Sequence, residues 1–512
     1  MKRPTKMVEK WHRLLADVPK IIGEPPMPRF VLCTTLLITF SSSAFAVAGV
    51  DSPPPPAAPS ETHFAQPKET KLENGLRVIV AQRPGLPLLA AQFVLSNGSE
   101  NDPPNLAGTA SMTGALLSKG TESMSAPQIA EAIESLGGDI SSGSGWDESG
   151  ASVTVMSNQA EPALTILADI ILHPIFKQEE IDRLRRQRLD GLRVAMQQPG
   201  AVANYVAERV VFDSGEYGHA AGGTIETLEK MRRDDIVNFY KNYYAPENAA
   251  LILVGDVTLE QGKNYAQKFF AQWKAVRPAG KLEKPSGSEW KPQSVVIDMP
   301  QAGQAAVTVS KPAINRGSPD YYPGLVANAA LGNGFVSRLN REIRIKRGLS
   351  YGARSSLDAR RDPGPFSASA QTKNESATEV ASLLTGEMKR LVTEPVQGEE
   401  LKSRQAVLTG NYARNLETNE GFAERLSTLA AYKLSLDELD QFIPKINAVT
   451  TKEVTAFAQK YFSTPSLIIA GQAPAFLDPL KKAFPGVKVI AQKDLDLNSP
   501  ELVKGAGKNG EK

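Results

Sequence analysis

NFYKNYYAPENAALILVGDV, residues 238–257, and AFAQKYFSTPSLIIAGQ, residues 456–472, follow one plan. In each, a helix with an aromatic end runs through a proline turn into an apolar strand: Tyr243-Tyr244 ahead of Pro246 matches Tyr461-Phe462 ahead of Pro465, about 218 residues further on. Solenoid repeats recur within a few tens of residues, so the unit repeated here is a whole domain. Ser435 with Glu438 reads as a capping box opening a helix ahead of the second copy. Between the copies, VRPAGKLEKPSGSEWKPQ (276–293) is rich in Pro, Gly and Lys and reads as a linker.

Outward from these stretches, KLENGLRVIV (71–80) sets Asn74-Gly75 between two β-type runs, a hairpin signal, and LLAAQFVL (88–95) is a further strand. Ser125 with Gln128 forms a capping box, Ile129, Ile133 and Leu136 share one helical face, and Gly137-Gly138 ends it. ASVTV (151–155) reads as a strand, and Leu164, Leu167, Ala168 and Ile171 as an amphipathic helix stopping before Pro174. The order has few parallel βαβ signals, so the expected class is α+β: two homologous domains, each an antiparallel or mixed β-sheet packed against helices. Their expected bounds are 64–275 and 294–490, with a polar tail over 491–512. The full 512 residues, 41% hydrophobic and 22% charged, exclude a disordered or fibrous chain.

The N-terminus reads as an export signal. FVLCTTLLITF (30–40) follows Arg29 and precedes SSSAFA, whose Ala44 and Ala46 suit a signal-peptidase site. The apolar run is short for a membrane span, which needs about 20 residues; if uncleaved, it anchors the chain. The basic stretch before it is long, and Met27 is an alternative start. Cleavage after residue 46 removes seven Lys/Arg and three Asp/Glu, leaving 51 basic against 53 acidic residues, so a net charge of +2 becomes −2. It also removes Cys33, the single cysteine, which suits a periplasm-like compartment and excludes a disulfide framework. DSPPPPAAPS lies in a proline-rich spacer, 47–63. Nothing in this charge balance argues for nucleic acid.

LENGLRVIV, NLAGTASMTGALLSKGT (105–121) and above all LGNGFVSRLNREIRIKRGLSYGARSSL (331–357) carry a resemblance to the pitrilysin/insulinase family of zinc peptidases, spanning roughly residues 65–490. Active members carry H-x-x-E-H on a helix, two His holding zinc and the Glu serving as base. The LLSKGT register sets those positions on Ser111, Met112, Thr113, Gly114 and Ala115. Serine, glycine and alanine offer neither imidazole nor carboxylate, so no metal is expected on this chain. The family's remaining ligand, a Glu on a later helix, corresponds to the region of Asp190-Gly191. His12, His63, His173 and His219 lack i, i+4 spacing, and no mature cysteine or G-x-S-x-G elbow offers another nucleophile.

The resemblance implies a second half-site. The family's R-x6-Y pair falls on Arg344 and Tyr351, whose implied roles are hydrogen bonds to the substrate carbonyl and to the oxyanion that develops on it. Phe335 or Val336, with Leu339 and Ile343, reads as the buried stripe of a helix aiming Arg344. The plainer readings are a solvated basic helix face for Arg338, Arg341, Arg344, Lys346 and Arg347, and a sheet-edge residue for Tyr351. Ser141, Ser142, Gly143 and Ser144 fall where relatives offer an edge strand to an extended peptide.

Together these imply the zinc-free, Arg/Tyr-bearing subunit of a heteromeric periplasmic metallopeptidase, its Zn2+ carried by a homologous H-x-x-E-H partner and its substrate an unfolded peptide. A different class is a catalytically inactive peptide-binding or scaffold protein of the same fold. A third, an independent peptidase with another site, is disfavoured by the missing ligands.

Overall fold

The Asn74-Gly75 turn reverses the chain as its residues dictate: Gly75 takes φ +96°, a conformation only glycine adopts freely. Asn74 Nδ2 then donates to the carbonyls of Phe270 (2.8 Å) and Trp273 (3.0 Å), tying the turn to the end of the helix Leu259–Phe270. In the computed structural model, residues 64–275 and 290–505 are described. The expected export signal, the spacer and most of the linker lie outside the described residues.

The first half contributes β1 (Lys68–Lys71), β2 (Arg77–Gln82), β3 (Leu88–Leu95), β4 (Asp139–Ser144), β5 (Ser149–Met156) and β6 (Ala249–Gly255). The second contributes β7 (Ser294–Asp298), β8 (Ala305–Pro312), β9 (Ala353–Leu357), β10 (Pro365–Thr372), β11 (Ser466–Gly471) and β12 (Lys488–Ala491). They form two six-stranded sheets, β1-β2-β6-β3-β5-β4 and β12-β7-β11-β8-β10-β9. Five strands correspond one to one. In both sheets the strand after the aromatic helix end, β6 or β11, lies parallel to one neighbour and antiparallel to the other. Only the outermost strand differs: β1 runs antiparallel to β2, whereas β12 arrives from the far end of the chain and runs parallel to β7. The fold is the expected α+β duplication.

Alternation along β2, β3 and β6 divides the first sheet into two buried faces. Val78, Val80, Phe93, Leu251 and Leu253 pack against the first half's own helices. Ile79, Ala90, Val94, Ile252 and Val254 face Phe422, Leu426 and Leu429 of the helix Asn419–Ala431, which belongs to the second half. The exchange is reciprocal. Val202, Val206 and Val210 of the helix Pro199–Phe212 cover Val295, Ile297 and Ile468 of the second sheet.

A polar wedge completes the seam. Arg360 and Arg361 lie in the β9–β10 connection. Arg360 is only 2% exposed; it pairs with Asp358 and Glu208 and stands over the rings of Trp146, Tyr217 and Phe212 at 4.3, 4.8 and 5.5 Å. Arg361 pairs with Glu100 and donates to the carbonyls of Ser96 and Asp147. Asp147 in turn accepts from the hydroxyls of Tyr217 (2.7 Å) and Tyr432 (3.0 Å).

Two expectations are corrected. Ser435 and Glu438 do not form a capping box: the helix starts at Glu438, whose carboxylate is drawn inward to Arg316 and Arg425. The reciprocal box of that region is Thr450 with Glu453, opening Thr451–Tyr461. The described part of the expected polar tail is packed, with Leu495 and Leu502 buried against Val202 and Val206.

Candidate functional site

The helix Thr109–Leu116 carries the five motif positions. Its start is fixed by Asp102, whose carboxylate accepts from the amides of Gly108 and Ala110 at 2.7 Å each and faces His219 Nε2 at 3.2 Å. Burial pushes the Asp102 carboxyl up, and the His219 contact opposes it. Gly108, at φ +92°, lies so close to Gly223 that a Cβ would stand 2.7 Å from its backbone. The helix is thereby seated in one orientation.

Ser111, Gly114, Ala115 and Ser118 recur at i, i+3, i+4 and i+7, a single helical face. Ser111 accepts hydrogen bonds from Arg188 on the helix Gln178–Ala195, at 2.7 Å on Oγ and 3.2 Å on its carbonyl. A Cβ on Gly114 would stand 2.6 Å from the carbonyl of Gly143 in β4. Ser142 Oγ donates to Ser118 Oγ at 3.1 Å. Zinc does not fit here: Ser111, Gly114 and Ala115 supply no ligand, position 114 has no room for a carboxylate, and a guanidinium faces Ser111. Asp190, expected near the remaining ligand position, is exposed and pairs with Arg193 instead. His219 serves Asp102 and His173 serves Asp169; His12 and His63 lie outside the described residues. No cluster of three or more His, Cys, Asp or Glu suited to a metal occurs among the described residues.

Arg344 and Tyr351 lie on one short segment, from the end of the π-helix Asn340–Lys346 to the entry into β9. Both are exposed, Tyr351 to 91%, and no hydrogen bond joins them. Their backbone is firmly held. Gly348, at φ +63°, closes the helix by donating to the Arg344 carbonyl, and Thr372 Oγ1 donates to the Leu349 carbonyl at 2.6 Å. Leu339 and Ile343 are buried as expected, but Phe335 is 61% exposed and Val336 is exposed too. They lie in a turn before the helix, pinned by Asn340 Nδ2 donating to the Phe335 carbonyl at 2.6 Å. The Phe335 ring instead lies under the Arg344 guanidinium at 4.8 Å. That cation–π contact positions a side chain with no carboxylate partner among the described residues.

Ser141, Ser142, Gly143 and Ser144 lie in β4, the outer strand of the first sheet, which pairs only with β5. Ser141 Oγ is shared with Ser152 Oγ at 2.8 Å. Sequence reasoning missed Arg188. Its signal was position: it falls seven residues after Ile181 and four after Leu184, on the inward face of a helix otherwise rich in exposed charge.

Comparison with known proteins agrees with this architecture. The insulinase (peptidase family M16) model matches residues 77–213 and the peptidase M16 inactive-domain model residues 230–408. The uncharacterized zinc protease YmxG of Bacillus subtilis is 22% identical over 399 residues, 77% of this chain and 96% of the relative. An uncharacterized zinc protease of Rickettsia bellii is 25% identical over 404 residues, 77% and 95% of the two chains. The peptidase M16 inactive domain from Pseudomonas fluorescens superposes with a TM-score of 0.74 at 26% identity, covering 79% of this chain and 98% of that one. A protease from Helicobacter pylori shares the fold at TM-score 0.74 and 17% identity, over 80% of this chain and 100% of that one. With both halves matched in order and the duplicated sheets superposing, the chain belongs to the insulinase, or M16 peptidase, family.

Proposed function

We propose that this chain is the zinc-free subunit of a heteromeric metallopeptidase, working in the periplasm with a homologous chain that bears an intact H-x-x-E-H motif. The observation that carries the reading is the asymmetry between the halves. The zinc-type half has Ser111, Gly114 and Ala115 where the ligands and base belong, with Gly114 closed against Gly143. The other half keeps Arg344 and Tyr351 exposed on an anchored segment. In the complex, zinc on the partner supplies the activated water. Arg344 and Tyr351 donate hydrogen bonds to the substrate carbonyl and its oxyanion, and β4 offers backbone pairing to an extended, unfolded peptide.

The test is co-purification with an H-x-x-E-H homologue, followed by metal analysis and a peptide-cleavage assay. The chain alone should hydrolyse nothing and carry no stoichiometric zinc, and the mixture should cleave. Peptide binding without partner-dependent cleavage would instead support the scaffold reading, which the position of β4 at the end of its sheet also suits.

A further inference from the structure

Arg188 differs from the paired arginines of the helix Gln178–Ala195, and from Arg186, which is exposed. Arg183, Arg185 and Arg193 each pair with a carboxylate, those of Glu180, Asp182 and Asp190. Arg188 has none among the described residues: its two terminal nitrogens donate to Ser111 Oγ and the Ser111 carbonyl, both neutral. Burial holds its guanidinium below the usual arginine range, with no acidic group opposing. A guanidinium has five N–H donors in a planar fork, and the two bonds to Ser111 engage only the terminal nitrogens of Arg188. A half-buried cation with spare donors and no counter-charge favours an incoming anion.

Its place in the fold narrows the class of anion. Ser111 lies one turn before Gly114, roughly 4.5 Å along the helix axis, and Gly114 touches Gly143 in the outer strand β4. Ser118 and Ser142 continue the same contact. A peptide extended along β4 therefore runs beside the helix that carries Ser111, the residue to which Arg188 is bonded. We propose that Arg188, at Ser111, forms a carboxylate subsite that receives an acidic side chain or the terminal carboxylate of an extended peptide held on β4. The inference rests on the reading of β4 as a peptide edge and adds the chemistry recognised there.

Calorimetric titration of the whole mature chain with three short Ser/Thr/Val peptides tests it. One carries a central Glu and an amidated end, one a central Gln and a free carboxyl end, and one a central Gln with an amidated end. At least one acidic peptide should bind about tenfold or more tightly than the neutral one, and which one does so identifies the source of the carboxylate. Arg188→Met should abolish the preference without weakening the neutral peptide, and Arg188→Lys should keep part of it; Arg188→Gln replaces the Met variant if that fails to fold. Equal affinity for all three peptides overturns the subsite and leaves the β4 reading intact. No binding of any overturns both, and a preference that survives in Arg188→Met or Arg188→Gln removes Arg188 from the proposal.

Discussion

Gly114 and Gly143 meet backbone to backbone: a Cβ on Gly114 would stand 2.6 Å from the carbonyl carbon and oxygen of Gly143. The helix Thr109–Leu116 is thus packed onto β4 at Gly114, the position to which the resemblance assigns the motif's Glu. Any side chain at 114 would meet the Gly143 carbonyl, so the close approach requires glycine there.

Reinstating the motif residues should therefore fail to reinstate the metal site. The triple variant Ser111→His, Gly114→Glu, Ala115→His should bind no stoichiometric zinc by metal analysis. Gly114→Ala alone should lower stability by about 1–2 kcal/mol, since a Cβ driven against backbone takes overpacking to the upper part of its range, about 2–3 kcal/mol, and alanine's better helix propensity returns about 1. Stoichiometric zinc in the triple variant, or a Gly114→Ala chain as stable as the parent, would show that β4 yields easily.

Arg344 and Tyr351 test the opposite half. Both are exposed, so Arg344→Ala and Tyr351→Phe should leave stability within about 0.5 kcal/mol. In the reconstituted mixture with the zinc-bearing partner, each should cut turnover by about 10²–10³. Phe335→Leu removes the ring under Arg344 but not its charge, and should cost only severalfold, in line with about 0.5–1 kcal/mol for an exposed cation–π contact. Unchanged turnover in both Arg344→Ala and Tyr351→Phe sinks the assigned roles.

Patterns that are local in the chain were legible in it. β3 occupies the expected residues 88–95, and the aromatic helix ends before β6 and β11 are in place, because each needs only its own periodicity and turn chemistry. The exchange of helices was not legible. Apolar spacing on Asn419–Ala431 gives its buried face but carries no record of which sheet it covers. Phe335 and Val336 were misplaced for a different reason: extending the helical period backward ignores the glycine-rich turn and the Asn340 bond that hold them outside the helix. Glu438 was read as a cap because its spacing from Ser435 fits; two buried arginines offer its carboxylate stronger partners.

The seam carries a pH dependence whose sign follows from burial. Desolvation pushes the Glu100 carboxyl from 4.5 up to about 8 against the pull of Arg361, and pushes Asp102, Glu148 and Glu208 up as well. A raised acid holds a proton in the folded chain that the unfolded chain has released. The contribution of Glu100 is therefore fully present below its unfolded value and is lost as pH rises through about 8. Thermal melts at about pH 6 and about pH 8.5 should show the lower midpoint at the higher pH, with a shallower slope in Glu100→Gln. An identical slope in that variant would mean that Arg361 holds Glu100 ionised throughout.

The helix exchange makes the two halves interdependent, and fragments test this directly. Without Asn419–Ala431, the first sheet would present Ala90, Val94, Ile252 and Val254 to water. Without Pro199–Phe212, the second would present Val295, Ile297 and Ile468. Each large apolar side chain left exposed forfeits roughly 1.5–3 kcal/mol, and several lost together exceed the margin of a typical domain. Residues 64–275 and 290–505 expressed separately should aggregate, and expressed together should assemble into a soluble one-to-one complex by size-exclusion chromatography. A first-half fragment that is monomeric and melts cooperatively on its own would contradict this. Interdependence also bears on function, because the exchanged helices and the Arg360–Arg361 wedge join the sheet bearing β4 to the half that presents Arg344 and Tyr351.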